Sequence, residues 1–164
     1  MQTMPKDLRQ EIELLFFAYR DFTGDADELL ADFGFGRAHH RAIYFIGRNP
    51  RISVSDLLEI LKITKQSLSR VLSQLIEEGY VHQETDSADR RKRLLMLTED
   101  GRALENRLTE KQSQRIQRAF EETGPDAAEG FRGVLRHIID EEDRGRIDAA
   151  EPGTASTLPL GPTP

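Results

Sequence analysis

The first hydrophobic segment of the chain has the spacing of a long helix. Its main apolar stripe consists of Leu8, Ile12, Leu15, Phe16, Tyr19 and Phe22. Further apolar residues lie on other faces of the same helix: Leu14, Phe17 and Ala18. A helix that is apolar on more than one side usually has two burial partners. The pattern therefore fits a central core helix, and it fits equally well a helix shared between a core and a subunit interface.

Two short helices are predicted between residues 37 and 61. The first ends before Pro50, because the residue that precedes a proline avoids the helical region. The second begins after Ser53, whose hydroxyl is a suitable N-cap, with Asp56 in the capping-box position. The residues expected to face inward are Ile43, Ile46, Val54, Leu57, Leu58 and Leu61.

The helix predicted over residues 64–79 has the clearest local signals. Thr64 is a suitable N-cap, and Gly79 stands where a left-handed C-cap residue belongs. The buried face consists of Leu68, Val71, Leu72, Leu75 and Ile76, and the exposed face of Lys65, Gln66, Ser69, Arg70, Ser73 and Gln74. No acidic residue occurs in this helix before Glu77, whereas an ordinary solvated helix face usually mixes Glu with Lys.

Two strands are predicted next, over residues 80–85 and 93–97, joined by a charged hairpin. The hairpin contains four consecutive basic residues, Arg90, Arg91, Lys92 and Arg93. Thr98 is the predicted cap of a long helix that ends at about residue 123, and a last helix carries Phe131, Val134, Leu135, Ile138 and Ile139. From Arg144 onward Gly, Ala, Ser, Thr and Pro dominate, which predicts a disordered tail.

Composition and charge narrow the class of protein. The chain has no cysteine, which excludes disulfides, thiolate metal sites and thiol-based redox sensing. It has no run of about 18 apolar residues and no apolar signal segment, so we expect a cytoplasmic protein without membrane contact. The net charge is -6, but residues 37–115 contain 15 Lys and Arg against 11 Asp and Glu. Because screening hides charges more than about 10 Å away, the acidic total does not exclude DNA binding.

The order of elements predicts a winged helix-turn-helix: helix, short turn, helix, and two strands around a basic loop. The expected fold class is mainly α with a small β-hairpin wing, and the second helix enters the major groove of double-stranded DNA. The predicted DNA-binding residues are Ser53, Thr64, Lys65, Gln66, Ser67, Ser69, Arg70 and Ser73 from the helices, and Asp89, Arg90, Arg91, Lys92 and Arg93 from the wing. Arg can read guanine and Gln can read adenine with paired hydrogen bonds, and Ser suits bases or phosphates.

Two segments of the chain resemble the MarR family of bacterial regulators. They are ITKQSLSRVLSQLIEEGYV at 63–81 and DSADRRKRLLMLTEDG at 86–101. The most specific positions are Asp86, Asp89, Arg91, Leu95, Leu97, Thr98 and Gly101, at the spacing characteristic of that family's wing. The resemblance extends over residues 29–108. It implies that Asp89 orients Arg91 by an ion pair and that Arg91 reaches into the minor groove, although the run of four basic residues leaves open which arginine inserts.

The resemblance also implies a homodimer on a palindromic operator, with a small phenolic or lipophilic effector that lowers the DNA affinity. The implied organisation is an N-terminal dimerisation helix (1–36), a winged DNA-binding lobe (37–98), C-terminal dimerisation helices (99–143) and the tail (144–164).

Effector pockets of this family lie between the DNA-binding lobe and the dimerisation helices. The residues expected there in this chain are Phe16, Tyr19, Arg20, His39, His40, Ile43 and Tyr44. An apolar cleft with one or two polar anchors suits a carboxylate or a phenol, whereas aromatic residues at helical spacing are also common in ordinary cores. His39 and His40 are adjacent and point to different faces of a helix, so no metal or other cofactor is expected.

An enzyme is not expected, because the chain lacks a glycine-rich phosphate loop, a nucleophile elbow and a zinc-protease motif. The competing interpretation is a winged-helix module that binds a partner protein and not DNA, and the acidic stretch Asp140–Asp143 favours it. The polar face of the helix at 64–79 argues against it, because a protein-binding face would expose apolar or aromatic anchors.

Overall fold

The structure is a computed structural model, and it describes residues 7–149. The helices and strands, in chain order, are α1 (Arg9–Ala31), α2 (Arg37–Arg48), β1 (Ile52–Ser53), α3 (Val54–Leu61), α4 (Lys65–Glu77), β2 (Val81–Thr85), β3 (Arg93–Leu97), α5 (Glu99–Thr123), α6 (Pro125–Ile138) and α7 (Glu141–Ala149). They form two compact units, divided between Ala119 and Phe120. No helix within residues 7–149 is long and apolar enough to cross a membrane.

Side-chain caps begin the central helices where the sequence predicts them. The Ser53 hydroxyl accepts a hydrogen bond from the backbone N–H of Asp56 at 3.0 Å, which starts α3. The Thr64 hydroxyl accepts one from the N–H of Ser67 at 3.1 Å and starts α4. Gly79 follows α4 with a φ of 83°, a conformation that strains other residues, so the predicted glycine stop is confirmed.

The sheet has three antiparallel strands in the order β1-β3-β2. β2 and β3 form the predicted hairpin, in which Val81 pairs with Leu97 and Thr85 with Arg93. β1 was not predicted from the sequence. It is only two residues long, and Ile52 pairs with the distant Leu95.

The core of the first unit lies between α2, α3, α4 and the sheet. Its fully buried large side chains include Leu30, Ile43, Ile46, Leu57, Leu68, Leu75, Leu95 and Leu108. Most of the residues predicted to face inward on α2, α3 and α4 are buried, and Val54, Leu58 and Ile76 pack against the buried cluster. Burial of the apolar face of α4 determines the orientation of this helix, because its opposite face must then point to solvent.

Two expectations differ from the structure. The core interpretation of the first helix is wrong for its first half, since Ile12 is 66% and Phe16 61% exposed. Only later residues of α1, such as Ala26 and Leu30, are buried. The tail expected from residue 144 is also helical at its start, because α7 continues to Ala149 with acidic residues in its first turn, which favours a helix N-terminus. The rest of the predicted tail, residues 150–164, lies outside the described residues.

Candidate nucleic-acid interface and ligand cleft

The exposed face of α4 is a continuous polar surface. Five of the predicted contact residues line one shallow depression on it: Lys65, Gln66, Ser69, Arg70 and Ser73. All five are exposed. The side chains therefore present hydrogen-bond donors and positive charge without an acid among them, which is the chemistry needed to reach base edges and phosphates.

Two other predicted contacts, Ser53 and Thr64, are already used as helix caps, and a third, Ser67, is hydrogen-bonded to Thr64. The hydroxyls of Ser53 and Thr64 accept backbone hydrogen bonds at the starts of α3 and α4. The Thr64 hydroxyl also donates to the hydroxyl of Ser67 at 2.8 Å. These side chains hold the N-termini of the two helices in place, where the helix dipole and free N–H groups attract phosphate.

The wing turn is held by its own acidic residues. Asp89 accepts the N–H of Arg91 at 3.0 Å, and Asp86 accepts the N–H of Ala88 at the same distance. The Nε of Arg91 lies 3.5 Å from Asp89 Oδ1, while its side chain is 95% exposed. Asp89 therefore fixes the backbone of the turn and contacts the guanidinium, and Arg91 extends into solvent.

A groove joins α4 to the base of the wing. It has a volume of about 470 Å³, and Lys65, Ser69 and Ser73 line it together with Arg93. Two lining residues were missed by the sequence prediction, Ser55 at the start of α3 and Gln83 in β2. The alternation of β2 offered a signal for Gln83, because every second residue of a strand shares a face.

A second cavity lies between α1, α2 and α5, and we call it the cleft. Its volume is about 460 Å³, and it is lined by Tyr19, Phe22, Thr23, Arg37, His40, Arg41, Tyr44, Phe45, Thr109, Gln112, Ser113 and Ile116. The structure brings together three of the seven predicted effector residues here: Tyr19, His40 and Tyr44.

The other four predicted effector residues lie elsewhere. Ile43 is fully buried in the core, and Phe16 is 61% exposed on α1. Arg20 lies over the ring of Phe17 at 4.7 Å. His39 contacts α4. Consecutive residues of one helix point to different faces, and the sequence alone did not determine which face lines the cleft.

Two arginines that the sequence prediction missed lie in the wall of the cleft. The Nε of Arg37 donates to Asp27 Oδ2 at 2.9 Å, and Arg41 donates to the hydroxyl of Tyr19. His40 is only 9% exposed, and this burial lowers the pKa of its imidazole, although the Asp27 carboxylate opposes the shift. Because the Asp27 carboxylate pairs with Arg37, the positive charge of this wall comes mainly from Arg41.

Within residues 7–149, no group of three or more His, Cys, Asp or Glu side chains is arranged to hold a metal ion.

The capped pair α3 and α4, followed by a hairpin with a basic turn, defines a winged helix-turn-helix protein. The chain is 48% identical over 135 residues to the HTH-type transcriptional regulator PetP of Rhodobacter capsulatus, an alignment that covers 82% of this chain and 81% of PetP. The family model described as MarR family matches residues 33–92. The chain therefore belongs to the MarR family of transcriptional regulators and is not an enzyme.

Solved structures of low sequence identity share the fold. The structure of Streptococcus pneumoniae FabT in complex with DNA superposes with a TM-score of 0.72 at 18% identity, covering 80% of this chain and 94% of that one. A crystal structure of MarR gives a TM-score of 0.69 at 22% identity, covering 90% of this chain and 99% of that one. These likenesses extend the fold assignment beyond the segment that the family model matches.

Proposed function

We propose that this regulator binds double-stranded DNA as a homodimer, with α4 in the major groove and the wing beside the adjacent minor groove. The observation that carries the proposal is the exposed, acid-free face of α4, from Lys65 to Ser73, with Arg93 across the groove. FabT, which has the same fold, was solved with DNA. A helix of this width fits the major groove, and its exposed side chains then face the base edges.

The homodimer is supported by apolar surface that a single chain leaves in solvent. In the first unit, the N-cap residue Leu8 is exposed, and α1 exposes Ile12, Leu14, Leu15, Phe16 and Phe17. In the second unit, α6 exposes Phe131, Val134 and Ile138. Soluble monomers rarely expose large contiguous apolar patches, and helices of this kind commonly bury them in a subunit interface.

The cleft is the proposed effector site. Aromatic side chains and the guanidinium groups of Arg37 and Arg41 line it, so a small aromatic carboxylate or phenolate is the chemical class that fits. Its occupant would contact α2, which packs directly on α4. An effector there would change the DNA affinity only if it bound one orientation of α4 more tightly than another.

The first experiment is selection of bound sequences from a pool of random duplexes at two salt concentrations. We expect enrichment of a palindrome whose half-site centres are about one helical turn apart, with binding that falls steeply as salt rises. If no sequence is enriched and retention does not depend on salt, DNA is not the ligand. The competing module that binds a partner protein, which the acidic residues of α7 favour, would then be the better interpretation.

A further inference from the structure

A histidine of α2 is hydrogen-bonded to the helix that carries the DNA-reading face. The Nε2 of His39 lies 2.8 Å from Oε1 of Gln74, which is in α4. The Nδ1 of the same ring accepts the backbone N–H of Gly36 at 3.1 Å. The ring also stacks on Phe35, with centroids 4.8 Å apart and planes 14° apart. The His39 ring is thus held by three contacts, with Gly36, Phe35 and Gln74, and the last of these joins it to α4.

The chemistry of these groups determines the direction of each hydrogen bond. Because an amide oxygen only accepts, Nε2 of His39 donates to Gln74, and Nδ1 is the acceptor for Gly36. The amide nitrogen of Gln74 then donates to Oε1 of Glu78 at 3.1 Å. An oriented chain of hydrogen bonds therefore runs from the N-cap of α2 to the C-cap of α4.

The same short helix lines the cleft with its other residues. Arg37, His40, Arg41 and Tyr44 all belong to α2 and face the cavity. A 12-residue helix with intact backbone hydrogen bonds moves nearly as a rigid body. A group that fills the cleft and displaces this face of α2 must therefore also displace the imidazole of His39.

Gln74 is directly connected to the polar face that we assign to DNA. It follows Ser73 in the chain and lies one helical turn after Arg70. Where the hydrogen bond to His39 moves Gln74 together with its backbone, α4 shifts or rotates, and this changes where Arg70 and Ser73 point.

We propose that His39 is the positioning residue that couples the cleft to the recognition helix α4, through its hydrogen bond to Gln74. This inference rests on the proposed function, since the cleft is taken as the effector site and α4 as the DNA-reading helix. It names one hydrogen bond as the route between them. His39 itself lies outside the cleft lining.

The chain has no cysteine, so the cleft can be filled without knowing its natural ligand. In the variant Ser113→Cys a single thiol is placed at the cleft, and N-phenylmaleimide then attaches an aromatic group to it. Amide hydrogen exchange of α4 is measured before and after labelling, in the otherwise unchanged chain and together with His39→Ala or Gln74→Met. Two variants that remove the same bond are used so that a folding defect in one does not end the test.

We expect labelling to change the exchange rates of α4 by about two- to thirtyfold, the range to which known coupling energies correspond. In the His39→Ala and Gln74→Met backgrounds, labelling should leave the exchange rates of α4 unchanged. Ala103→Cys, at an exposed position of α5, is the labelling control, and His137→Ala, in the second unit, is the control for loss of an imidazole. Labelling at Ala103→Cys should leave the exchange rates of α4 unchanged, and His137→Ala should leave the response to labelling at position 113 unchanged.

The proposal is overturned if labelling at position 113 leaves α4 unchanged, or if the response persists in both variants that lack the hydrogen bond. Hydrogen exchange reads α4 without DNA, so this result is independent of the selection experiment. If the selection yields no duplex but the exchange response depends on His39, the coupling stands and the DNA assignment fails. If an operator is recovered and the response is absent, only the coupling fails.

Discussion

Arg115 and Asp25 join α5 to α1 by two parallel hydrogen bonds. The Nε of Arg115 lies 2.7 Å from Oδ2 of Asp25, and its Nη2 lies 3.1 Å from Oδ1. Gln112, one turn earlier in α5, also donates to the backbone carbonyl of Phe22 in α1 at 3.4 Å. Because Phe22 and Gln112 line the cleft, these contacts hold two of its walls together.

The Asp25 contact predicts an acid-dependent loss of stability. The hydrogen bonds and positive charge of Arg115 hold the pKa of the Asp25 carboxyl below its usual value, so the folded state binds the proton less readily than the unfolded state. The stabilisation is present above the ordinary carboxyl pKa of about 4 and is lost as the pH falls through the lower folded value. Asp25→Asn should lower the Tm at pH 7 by about 1–3 °C, since both side chains are partly exposed.

The check is thermal unfolding of both proteins between pH 7 and pH 2. The difference between Asp25→Asn and the unchanged chain should shrink as the pH falls below about 4. Glu129→Gln, at an exposed position of α6, is the matched control and should show no such convergence. A difference in Tm that is constant over the whole range would show that the charge of Asp25 does not contribute.

Arg70 lies on the exposed face of α4, where a guanidinium can reach a base edge. We expect Arg70→Ala to cost about 1–3 kcal/mol on the selected operator and to relax the base preference at one position of each half-site. The measurement is competition between operator and single-mismatch duplexes. Arg107→Ala removes the same charge from α5 and should leave discrimination unchanged. If Arg70→Ala discriminates normally, Arg70 contacts only the backbone or nothing.

Substitution of Arg91 or of Arg90 shows which wing arginine enters the minor groove. Arg91 is 95% exposed and contacts only the nearby Asp89 among the described ion pairs, so Arg91→Ala should leave the Tm unchanged. We expect it to weaken operator binding and to reduce the salt slope by about 1, more than Arg90→Ala does. Affinity titrations over a range of salt concentrations measure this. A larger effect at Arg90 would reverse the assignment within the wing.

Gly101 has no space for a side chain. A Cβ at this position would lie 2.0 Å from the carbonyl oxygen of Tyr80, so the backbones must separate. We expect Gly101→Ala to destabilise the protein by about 3 kcal/mol or more, because a displaced backbone also disturbs the start of α5. Gly133→Ala, a helical glycine with no atom within 4 Å of the built Cβ, should be neutral or stabilising by about 0.5–1 kcal/mol. Chemical denaturation of the two variants measures their free energies of unfolding. Equal stabilities would show that α5 can move away from Tyr80.

The exposed apolar surface of α1 predicts the oligomeric state. Sedimentation equilibrium should give twice the chain mass of 18.7 kDa. Ile12→Glu places a charge on a residue that is 66% exposed in the single chain, so it should weaken self-association while preserving the helical signal. Gln10→Glu adds the same charge on the same helix as a control. A monomer for the unchanged chain, or a dimer unaffected by Ile12→Glu, would contradict this interface.

The sequence by itself determined the winged helix-turn-helix and the residues on its polar face. The signals are local: Ser53 and Thr64 cap helices within three residues of themselves, and Gly79 ends α4 through its own backbone conformation. The apolar spacing of α4 then assigns its exposed face without reference to any other segment. Local interactions of this kind are readable because both partners are within one turn of each other.

The tertiary structure alone decided the features that join distant segments. β1 forms because Ile52 pairs with Leu95, and a segment of two residues is too short for an alternating pattern to predict a strand. Two arginines of α2 line the cleft, and only the folded chain brings Arg37 to Asp27 and Arg41 to Tyr19 of α1. α7 was missed because the sequence prediction took residues 144–164 together, a segment in which Gly, Ala, Ser, Thr and Pro dominate, whereas the acidic first turn of α7 favours a helix start.

His39 illustrates the same limit most clearly. Its sequence neighbourhood allowed a cleft residue or a core residue, and helical periodicity could not choose between them. Only the packing of α2 on α4 brought its ring to Gln74, 35 residues away. The energy of such a contact depends on a distance and an angle set by two separate helices, and a linear sequence does not contain that geometry until the chain has folded.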